Sequence, residues 1–571
     1  MILFRISVLA AALIFTTSLF AATNGSAVAD AAMKGDGVTV RALIQKKADV
    51  NAPQTDGATA IQWAAYRNDL EMADALIAAG ANVKAANRDG ATALRLASEN
   101  GSAAMIGKLL AAGADPDERS PNGETPLMMA GRNGNIAALK VLLDHKANPA
   151  LKENLRGTTA LMWATEQSHS EAVKLLIARG ADVNTASAPD TRNSALNLAP
   201  TIEERIQQDK LIEAFTNGKK IQLTPGGPLV APEDFASMYG QSGKKDGGGL
   251  TPLVYAAREG CIECARILID SGATVNQTTA YGWTPLLTAT QNRHYKLAAF
   301  LLDHGADPNL TNNGGWTPLY LATDNRNIES GDYPVRKPDM DHLDYIKLLL
   351  AKGARANTRI CGAASTAQAC KGDTTETRTN FTMQWLSEEG ATPFLRAAQS
   401  GDVTLMKLLL DHGADPKVAT AHGVTALAVA SGIGWVEGIT FEWSPAQSLE
   451  AVKMCLDLRI DVNAADDEGR TALHGAAHKG RVEVIQLLID HGANLEAHDK
   501  GSRDTFAGAM KGKTWIPLDW ARGLVRVGVQ SAVPHPEAEK LLIAVMTERG
   551  LPIPPPPSSS ICLTKGPKGC Q

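Results

Sequence analysis

The chain has few aromatic residues, since Phe, Trp and Tyr make up 5% of its 571 residues, whereas Ala, Leu and Gly are abundant. This balance favours thin, closely stacked helices over a thick hydrophobic core. A chain of this length also exceeds one ordinary globular core, so we expect several domains or one elongated array. It has no basic excess either: the net charge is -5. We therefore expect no nucleic-acid partner.

Long hydrophobic runs are confined to the N-terminus. Arg5 precedes an apolar run over residues 6–22, and this order is typical of a secretory signal peptide. We predict a signal peptide over residues 1–22, cleaved near Ala21 or Ala22, with an uncleaved membrane anchor as the alternative. No later segment of the sequence is long and apolar enough to cross a bilayer, so we expect no membrane span after cleavage. We predict an exported protein of bacterial type, periplasmic or secreted.

The sequence repeats itself with a period of 33 residues. A Gly-x-Thr-Ala or Gly-x-Thr-Pro motif followed by a hydrophobic residue starts at Gly57, Gly90 and Gly123, which are 33 residues apart. The motif recurs at Gly157, Gly249, Gly282, Gly315, Gly390, Gly423 and Gly469. Most units end in a variant of Leu-Leu-x-x-Gly-Ala-Asp-x-Asn. A fixed period in this range indicates a repeat architecture.

Each unit carries the residues that a pair of short helices needs. Thr125 followed by Pro126 suits a helix start, because Thr can accept a hydrogen bond from an unpaired amide and Pro has no amide hydrogen. Small residues such as Ala130 and Ala256 let neighbouring helices approach closely, and Gly305 suits a left-handed C-terminal cap. One such unit cannot bury its apolar face alone, so we expect neighbouring units to stack.

This pattern resembles the ankyrin-repeat family. The period, the Thr-Pro-Leu-His-x-Ala type motif, as in residues 471–476, and the Gly-Ala-Asp ending all match over most of the chain after residue 22. The resemblance implies an all-α fold, namely an ankyrin-repeat solenoid with projecting β-turns, interrupted by inserts. We count about twelve helix–turn–helix units. The first, at residues 28–51, is incomplete, and the last, at residues 517–549, is a degenerate cap.

Breaks in the period define the expected organisation. The segments are a signal peptide at 1–22, repeat array 1 at 23–187, an insert at 188–248, array 2 at 249–358, an insert with a Cys pair at 359–388, array 3 with a C-terminal cap at 389–550, and a Pro- and Ser-rich tail at 551–571. The insert at 188–248 either separates two arrays or loops out between stacked repeats. Residues 432–447 lengthen the turn inside one repeat and contain Trp435, Phe441 and Trp443.

The seven cysteines are unevenly placed along the chain. Two pairs lie close together in the inserts and the tail, and each pair would close a small loop and limit its disorder. We therefore predict two local disulfides, Cys361–Cys370 and Cys562–Cys570. Cys261 and Cys264 form a Cys-x-x-Cys at a helix start. We interpret this pair as a structural bridge or as two core thiols, because no βαβ pattern surrounds it as in a redox domain.

Motifs for catalysis, metal binding or cofactor binding are weak. Gly512-Lys513-Thr514 lacks the earlier glycine of a phosphate-binding loop, since position 507 is Ala. His474 and His478 are four residues apart, but no Glu follows His474 as it does in a zinc-protease helix. We therefore predict no enzyme, no cofactor and no metal. An enzyme with a site in the inserts is the less favoured alternative.

The family resemblance marks residues for partner contact on the β-turn tips and the exposed ends of the first helices. By position these residues are Tyr66, Arg67, Arg132, Arg258, Tyr281, Trp283, Trp316, Arg470 and His478. Trp283 and Trp316 occupy equivalent places in adjacent repeats, so they should lie on one surface. One hypothesis is a recognition stripe centred there, because aromatic residues and Arg are the usual anchors of interfaces. The alternative is that both rings cover the neighbouring hairpin.

The predicted function follows from these expectations. We predict a non-catalytic protein–protein interaction scaffold of the periplasm or extracellular space. It binds partner proteins through the concave face and the β-turn tips, and it is monomeric. The alternative is an exported toxin-like or host-directed effector.

Overall fold

The computed structural model describes residues 26–188, 221–222, 229–230, 248–328, 336–360, 389–435, 441–500, 514–524 and 533–555. Within them, the predicted all-α fold of helix–turn–helix repeats is confirmed: 24 helices form twelve consecutive pairs. The chain divides into two compact units, residues 1–280 (unit 1) and 281–571 (unit 2). Among the described residues, no helix combines the length and the apolar character that crossing a membrane requires.

Unit 1 contains six helix pairs and, between the fifth and sixth pairs, one short antiparallel ladder. The elements are α1 (Ala27–Lys34), α2 (Gly37–Gln45), α3 (Ala60–Tyr66), α4 (Leu70–Ala78), α5 (Ala93–Glu99), α6 (Ala103–Ala111), α7 (Pro126–Arg132), α8 (Ile136–Asp144), α9 (Ala160–Glu166), α10 (Ser170–Ala178), β1 (Ile221–Gln222), β2 (Leu229–Val230), α11 (Pro252–Glu259) and α12 (Ile262–Asp270). In the ladder, residue 221 pairs with residue 230. The first pair, predicted as incomplete, has both of its helices.

Unit 2 also contains six helix pairs in its described residues. The helices are α13 (Pro285–Gln291), α14 (Tyr295–Asp303), α15 (Pro318–Arg326), α16 (His342–Ala351), α17 (Pro393–Gln399), α18 (Val403–Asp411), α19 (Ala426–Ser431), α20 (Pro445–Asp457), α21 (Ala472–Lys479), α22 (Val482–Asp490), α23 (Pro517–Ala521) and α24 (Pro536–Glu548).

The helix starts follow from the Thr-Pro and Thr-Ala motifs. The Thr125 hydroxyl accepts a hydrogen bond from the amide of Met128, and the Thr284 hydroxyl accepts one from Leu287. Each satisfies an amide that the first turn leaves unpaired. The predicted C-terminal cap at Gly305 is confirmed, since its φ is 88°, in the left-handed region that glycine adopts without a steric penalty.

The core of each unit lies between stacked helices. Within each unit, the first helix of one repeat packs against the first helix of the next. The fifth residue after each N-cap Thr is an alanine, and all of these side chains are buried, including Ala64, Ala130 and Ala256. A larger side chain would hold the helices apart, so this small residue sets the repeat spacing.

Where a repeat ends in Asp-x-Asn, as at Asn51 and Asn463, the Asn side chain links it to the next repeat. The side chain of Asn51 donates to the carbonyl of Gly80 over 3.0 Å and accepts from the amide of Asn82 over 2.6 Å. Asn463 makes the same two bonds, to Gly492 and Asn494. The recurring spacing of this Asn therefore has a structural role, because each such Asn forms hydrogen bonds with backbone groups of the following repeat.

The first long insert leaves and re-enters the stack at one point. The amide of Ser187 donates to the carbonyl of Leu250 over 2.8 Å, and the amide of Gly249 donates to Ala188 over 3.0 Å. Helix α9 packs directly on α11. Of the two alternatives for this insert, the structure therefore has the looped-out one. The division between the compact units falls at Ala280, one repeat later, because the repeat after the insert stacks on the repeat before it.

Candidate partner-binding face

Two rows of side chains share one surface of the first helices of unit 1. They are the fourth and seventh residues after each N-cap, which lie on one helix face because they are three apart. The fourth-residue row is Asp30, Trp63, Leu96, Met129, Trp163 and Tyr255, and the seventh-residue row is Met33, Tyr66, Glu99, Arg132, Glu166 and Arg258. We call this surface the open face.

The N-terminal end of the open face is apolar and exposed. Tyr66 is 58% exposed, and its ring meets the Trp63 ring edge-on with centroids 5.8 Å apart. Met33 is also exposed, and its carbonyl accepts a hydrogen bond from the Arg67 guanidinium over 3.1 Å. Exposed aromatic and aliphatic side chains with a cation beside them are typical of interface anchors.

Arg132 and Arg258 occupy the same row in different surroundings. Arg132 is exposed, and its guanidinium lies 5.8 Å from the centroid of the Trp163 ring. Arg258 is half-buried and bonded to Glu166 at 2.6 Å and to Glu259 at 2.7 Å. Arg258 is therefore neutralised within unit 1, whereas Arg132 has no carboxylate partner among the described residues.

Tyr255 and Glu99 complete the electrostatics of this face. Burial raises the pKa of Tyr255 to about 12, with a further contribution from the Glu166 carboxylate. Its hydroxyl is therefore neutral at physiological pH. Glu99 is bonded to Arg95 at 3.0 Å, and the same guanidinium lies 3.2 Å from Glu124. Glu99 and Glu166 of the open face are thus paired with cations within unit 1, whereas Asp30 accepts hydrogen bonds from the side chains of Ser26 and Gln54.

The exposed position predicted for Trp316 is wrong. Trp316 is 1% exposed, and its ring packs edge-on against Tyr320 with centroids 4.8 Å apart. The residue before the N-cap Thr points into the unit, as Ala58, Thr158 and Val424 do in other repeats. Tyr281 and Trp283 are half-buried, so the aromatic stripe expected from Trp283 and Trp316 is not present as an exposed surface.

Arg470 and His478 are engaged within unit 2. The Arg470 guanidinium bonds the Asp466 carboxylate at 2.7 Å. The His478 ring is half-buried, with the Trp520 ring centroid 5.7 Å away and the Trp435 centroid 6.3 Å away. Burial, helped by the charge of His535, lowers the pKa of His478 to about 4. Neither residue is a free contact point comparable to Tyr66.

A short segment of unit 2 contacts the C-terminal ends of two of its first helices, at Arg326 and Lys479. We call residues 441–443 the strap. Its Trp443 indole donates to the side-chain oxygen of Asn327 over 2.8 Å, and its Glu442 bonds Lys479 at 3.0 Å. The aromatic residues of this insert were the feature of the sequence that could have indicated a role for the strap. The residues that the strap contacts could not be predicted, because Asn327 and Trp443 are 116 residues apart.

No group of three or more His, Cys, Asp or Glu side chains among the described residues is placed to hold a metal ion. Cys261 and Cys264 are joined by a disulfide at the start of α12, so the structure has the bridge rather than two core thiols. The predicted signal peptide and the predicted disulfides Cys361–Cys370 and Cys562–Cys570 lie outside the described residues, and these stay predictions.

Comparison with known families agrees with this geometry. A family profile described as "Ankyrin repeats (3 copies)" matches residues 28–119, 96–187, 235–312 and 279–360. The profiles "Ankyrin repeats (many copies)" and "Ankyrin repeat" match residues 446–489 and 389–418. The protein is therefore a repeat protein of the class that recognises other proteins through stacked helices. The chain belongs to the ankyrin-repeat family.

Among the similar proteins are three from eukaryotes. The palmitoyltransferase AKR1 of Lachancea kluyveri is 32% identical over 133 residues, which are 23% of this chain and 16% of that protein. The probable E3 ubiquitin-protein ligase XBOS33 of Oryza sativa subsp. japonica is 36% identical over 168 residues, 27% and 30% of the two chains. Human ankyrin repeat domain-containing protein 63 is 33% identical over 113 residues, 19% and 27%. The chain matches less than a third of the length of these relatives.

Proposed function

We propose that this protein is a non-catalytic interaction scaffold that binds a partner protein through the open face of unit 1. The observation that carries the proposal is the exposure of Tyr66 and Arg132 on a row whose other charges are paired. Both side chains offer large contact areas, and among the described residues neither is held by an ion pair that a ligand would have to displace. Residues of this kind supply most of the binding energy in protein interfaces.

The proposal places the protein in the periplasm or outside the cell. Its support is the order of Arg5 and the apolar run at residues 6–22. N-terminal sequencing of the protein from fractionated cells tests this part. A mature chain that starts near residue 22 supports export, and a chain that keeps residues 1–22 in the cytoplasm contradicts it.

The binding proposal is tested by capture with matched variants. The mature protein serves as bait in extract of its own compartment, beside a Tyr66→Ala/Arg132→Ala variant. We expect the variant to lose the captured partner, because each anchor is worth roughly 1–3 kcal/mol of binding free energy. The control is Val38→Ala/Lys140→Ala, which truncates two exposed residues of second helices.

Each outcome of this capture experiment has a defined meaning. Capture that survives in the Tyr66/Arg132 variant, or that is lost in the control, contradicts the open face as the binding surface. Unchanged helical circular dichroism in all variants ensures that folding is not the cause. Two of the similar proteins are named as enzymes, so transferase or ligase activity of the purified chain would contradict the non-catalytic part.

A further inference from the structure

The disulfide of unit 1 lies in the first turn of α12. Cys261 is the N-cap of this helix of nine residues, and Cys264 is the third residue after it. The amide of Cys264 donates a hydrogen bond to Sγ of Cys261 over 3.1 Å. This sulfur therefore takes the place of the side-chain oxygen that caps the second helix of other repeats, as in Asp69 and Ser102.

The fold requires a cysteine at neither of these two positions. The N-cap is Ser102 in another repeat of unit 1, and the third residue after the N-cap is Ala138 or Ala172 in two others, where it is also buried. The bridge joins residues only three apart in the sequence, and a disulfide stabilises less as the loop that it closes shortens. Packing and stability therefore do not account for this pair of cysteines.

The two cysteines differ in their access to solvent. Cys264 is 0% exposed, whereas Cys261 is half-buried. A thiol from solution can therefore reach the bridge only on the Cys261 side. Thiol–disulfide exchange begins with attack on a sulfur that the incoming thiolate can reach, so the structure selects Cys261 as the point of attack.

The surroundings of Cys261 favour a thiolate once the bridge is open. The backbone amide that bonds its sulfur in the disulfide can bond the thiolate, and the start of α12 adds the positive end of the helix dipole. The adjacent carboxylates are paired with cations. Glu259 is bonded to Arg258 at 2.7 Å. Glu263 is bonded to Arg266 at 3.3 Å.

We propose that Cys261 is a modification site at which low-molecular-weight thiols reversibly open the bridge to Cys264. A thiolate attacks Sγ of Cys261 and forms a mixed disulfide with it, while Cys264 leaves as a thiolate and takes up the proton that the thiol released. A second thiolate attacks the outer sulfur of the mixed disulfide and frees Cys261. Two thiols are thus oxidised to one disulfide, and the bridge is reduced to two thiols. This inference goes beyond the proposed function and does not depend on it.

Oxidised glutathione tests the point of attack on the full chain. The trapping variant is Cys264→Ala, because alanine fills this position in two other repeats, and the matched variant is Cys261→Ser, because serine caps another second helix. We expect at least roughly tenfold more glutathione on Cys261 of the first variant than on Cys264 of the second, because only Cys261 is accessible. Peptide mapping by mass spectrometry assigns each adduct to its cysteine. Burial raises the pKa of the Cys455 thiol to about 12, so this thiol is an unreactive internal reference.

The unsubstituted chain shows whether the bridge opens without unfolding. We expect reduced glutathione to convert the bridge to two thiols with unchanged helical circular dichroism, and oxidised glutathione to restore the bridge. A bridge that is reduced only in urea overturns the inference. An adduct on Cys261 of the trapping variant that does not exceed the one on Cys264 of the matched variant, or the one on Cys455, overturns it as well.

Discussion

At the residue scale, His474 shows how one side chain joins two repeats. Its Nδ1 accepts a hydrogen bond from the amide of Thr471 over 3.1 Å, and its Nε2 donates to the carbonyl of Trp515 over 3.2 Å. Gln62 holds the same place in the second repeat, where it accepts from the amide of Thr59 and donates to the carbonyl of Ala91. The His of the family motif is therefore a neutral bridge between repeats.

A pH dependence follows from this bridge. Burial lowers the pKa of His474 to about 4, from about 6.5 for an exposed histidine. Between these values the unfolded chain takes up a proton that the folded chain does not, so stability falls as the pH drops through this window. From pH 7 to pH 5 the loss from this one group is about 2 kcal/mol.

The matched substitution is His474→Gln, since glutamine already makes both bonds at Gln62. We expect the variant to unfold near the wild-type urea midpoint at pH 7 and to lose less stability at pH 5. The pKa of His478 is also lowered to about 4. His478 contributes the same pH dependence to both proteins, so it does not affect the difference in stability between them. Parallel losses in the two proteins between pH 7 and pH 5 would refute this account of His474.

Single residues also mark the limit of prediction from sequence. Tyr66 and Arg132 were marked through the family resemblance, and both are exposed. Their position alone does not settle exposure, because Asp324 and Gln399, also seventh after their N-caps, are 8% and 2% exposed. The burial of Trp316 was missed, although Ala58, Thr158 and Val424 at the same position indicated an inward direction. Large aromatic residues are frequent both in interfaces and in cores, so residue type alone did not separate the two.

At the element scale, the strap ties separate repeats of unit 2 together. Glu442 bonds Lys479 and Arg481 of the next repeat, and Trp443 bonds Asn327, which lies two repeats earlier. The twelve helix pairs themselves were predictable, since period, Thr-Pro starts and Gly endings recur along the chain. The path of the strap was not predictable, because the residues that it contacts share no local sequence pattern.

Removal of the strap carboxylate tests its structural role. Glu442→Gln leaves the buried Lys479 ammonium without its charge partner, and we expect a loss of about 3–5 kcal/mol in the free energy of unfolding of unit 2. The control is Glu450→Gln, because Glu450 bonds Lys407 at 2.9 Å but is 53% exposed. That substitution should cost less than about 1 kcal/mol. Equal urea midpoints for the two variants would rule out a structural role for Glu442.

At the scale of the whole molecule, the chain contains two compact units of one repeat type. In unit 1 the side chains of Tyr66 and Arg132 are exposed, and in unit 2 the strap contacts residues at the C-terminal ends of the first helices, such as Arg326 and Lys479. The looped-out insert after α10 leaves the stacking of α9 on α11 intact, so the repeats stack in order although some sixty residues separate these two repeats in the sequence. The sequence could not show which face stays open, because that depends on contacts between distant segments.

The measurement that tests the central claim most directly is site-specific photo-crosslinking in the native compartment. A benzophenone side chain replaces Tyr66 on the open face, or Val38 on a second helix as the control. We expect a covalent partner adduct from position 66 and none from position 38. An adduct from position 38 alone, or equal adducts from both positions, would contradict recognition through the open face of unit 1.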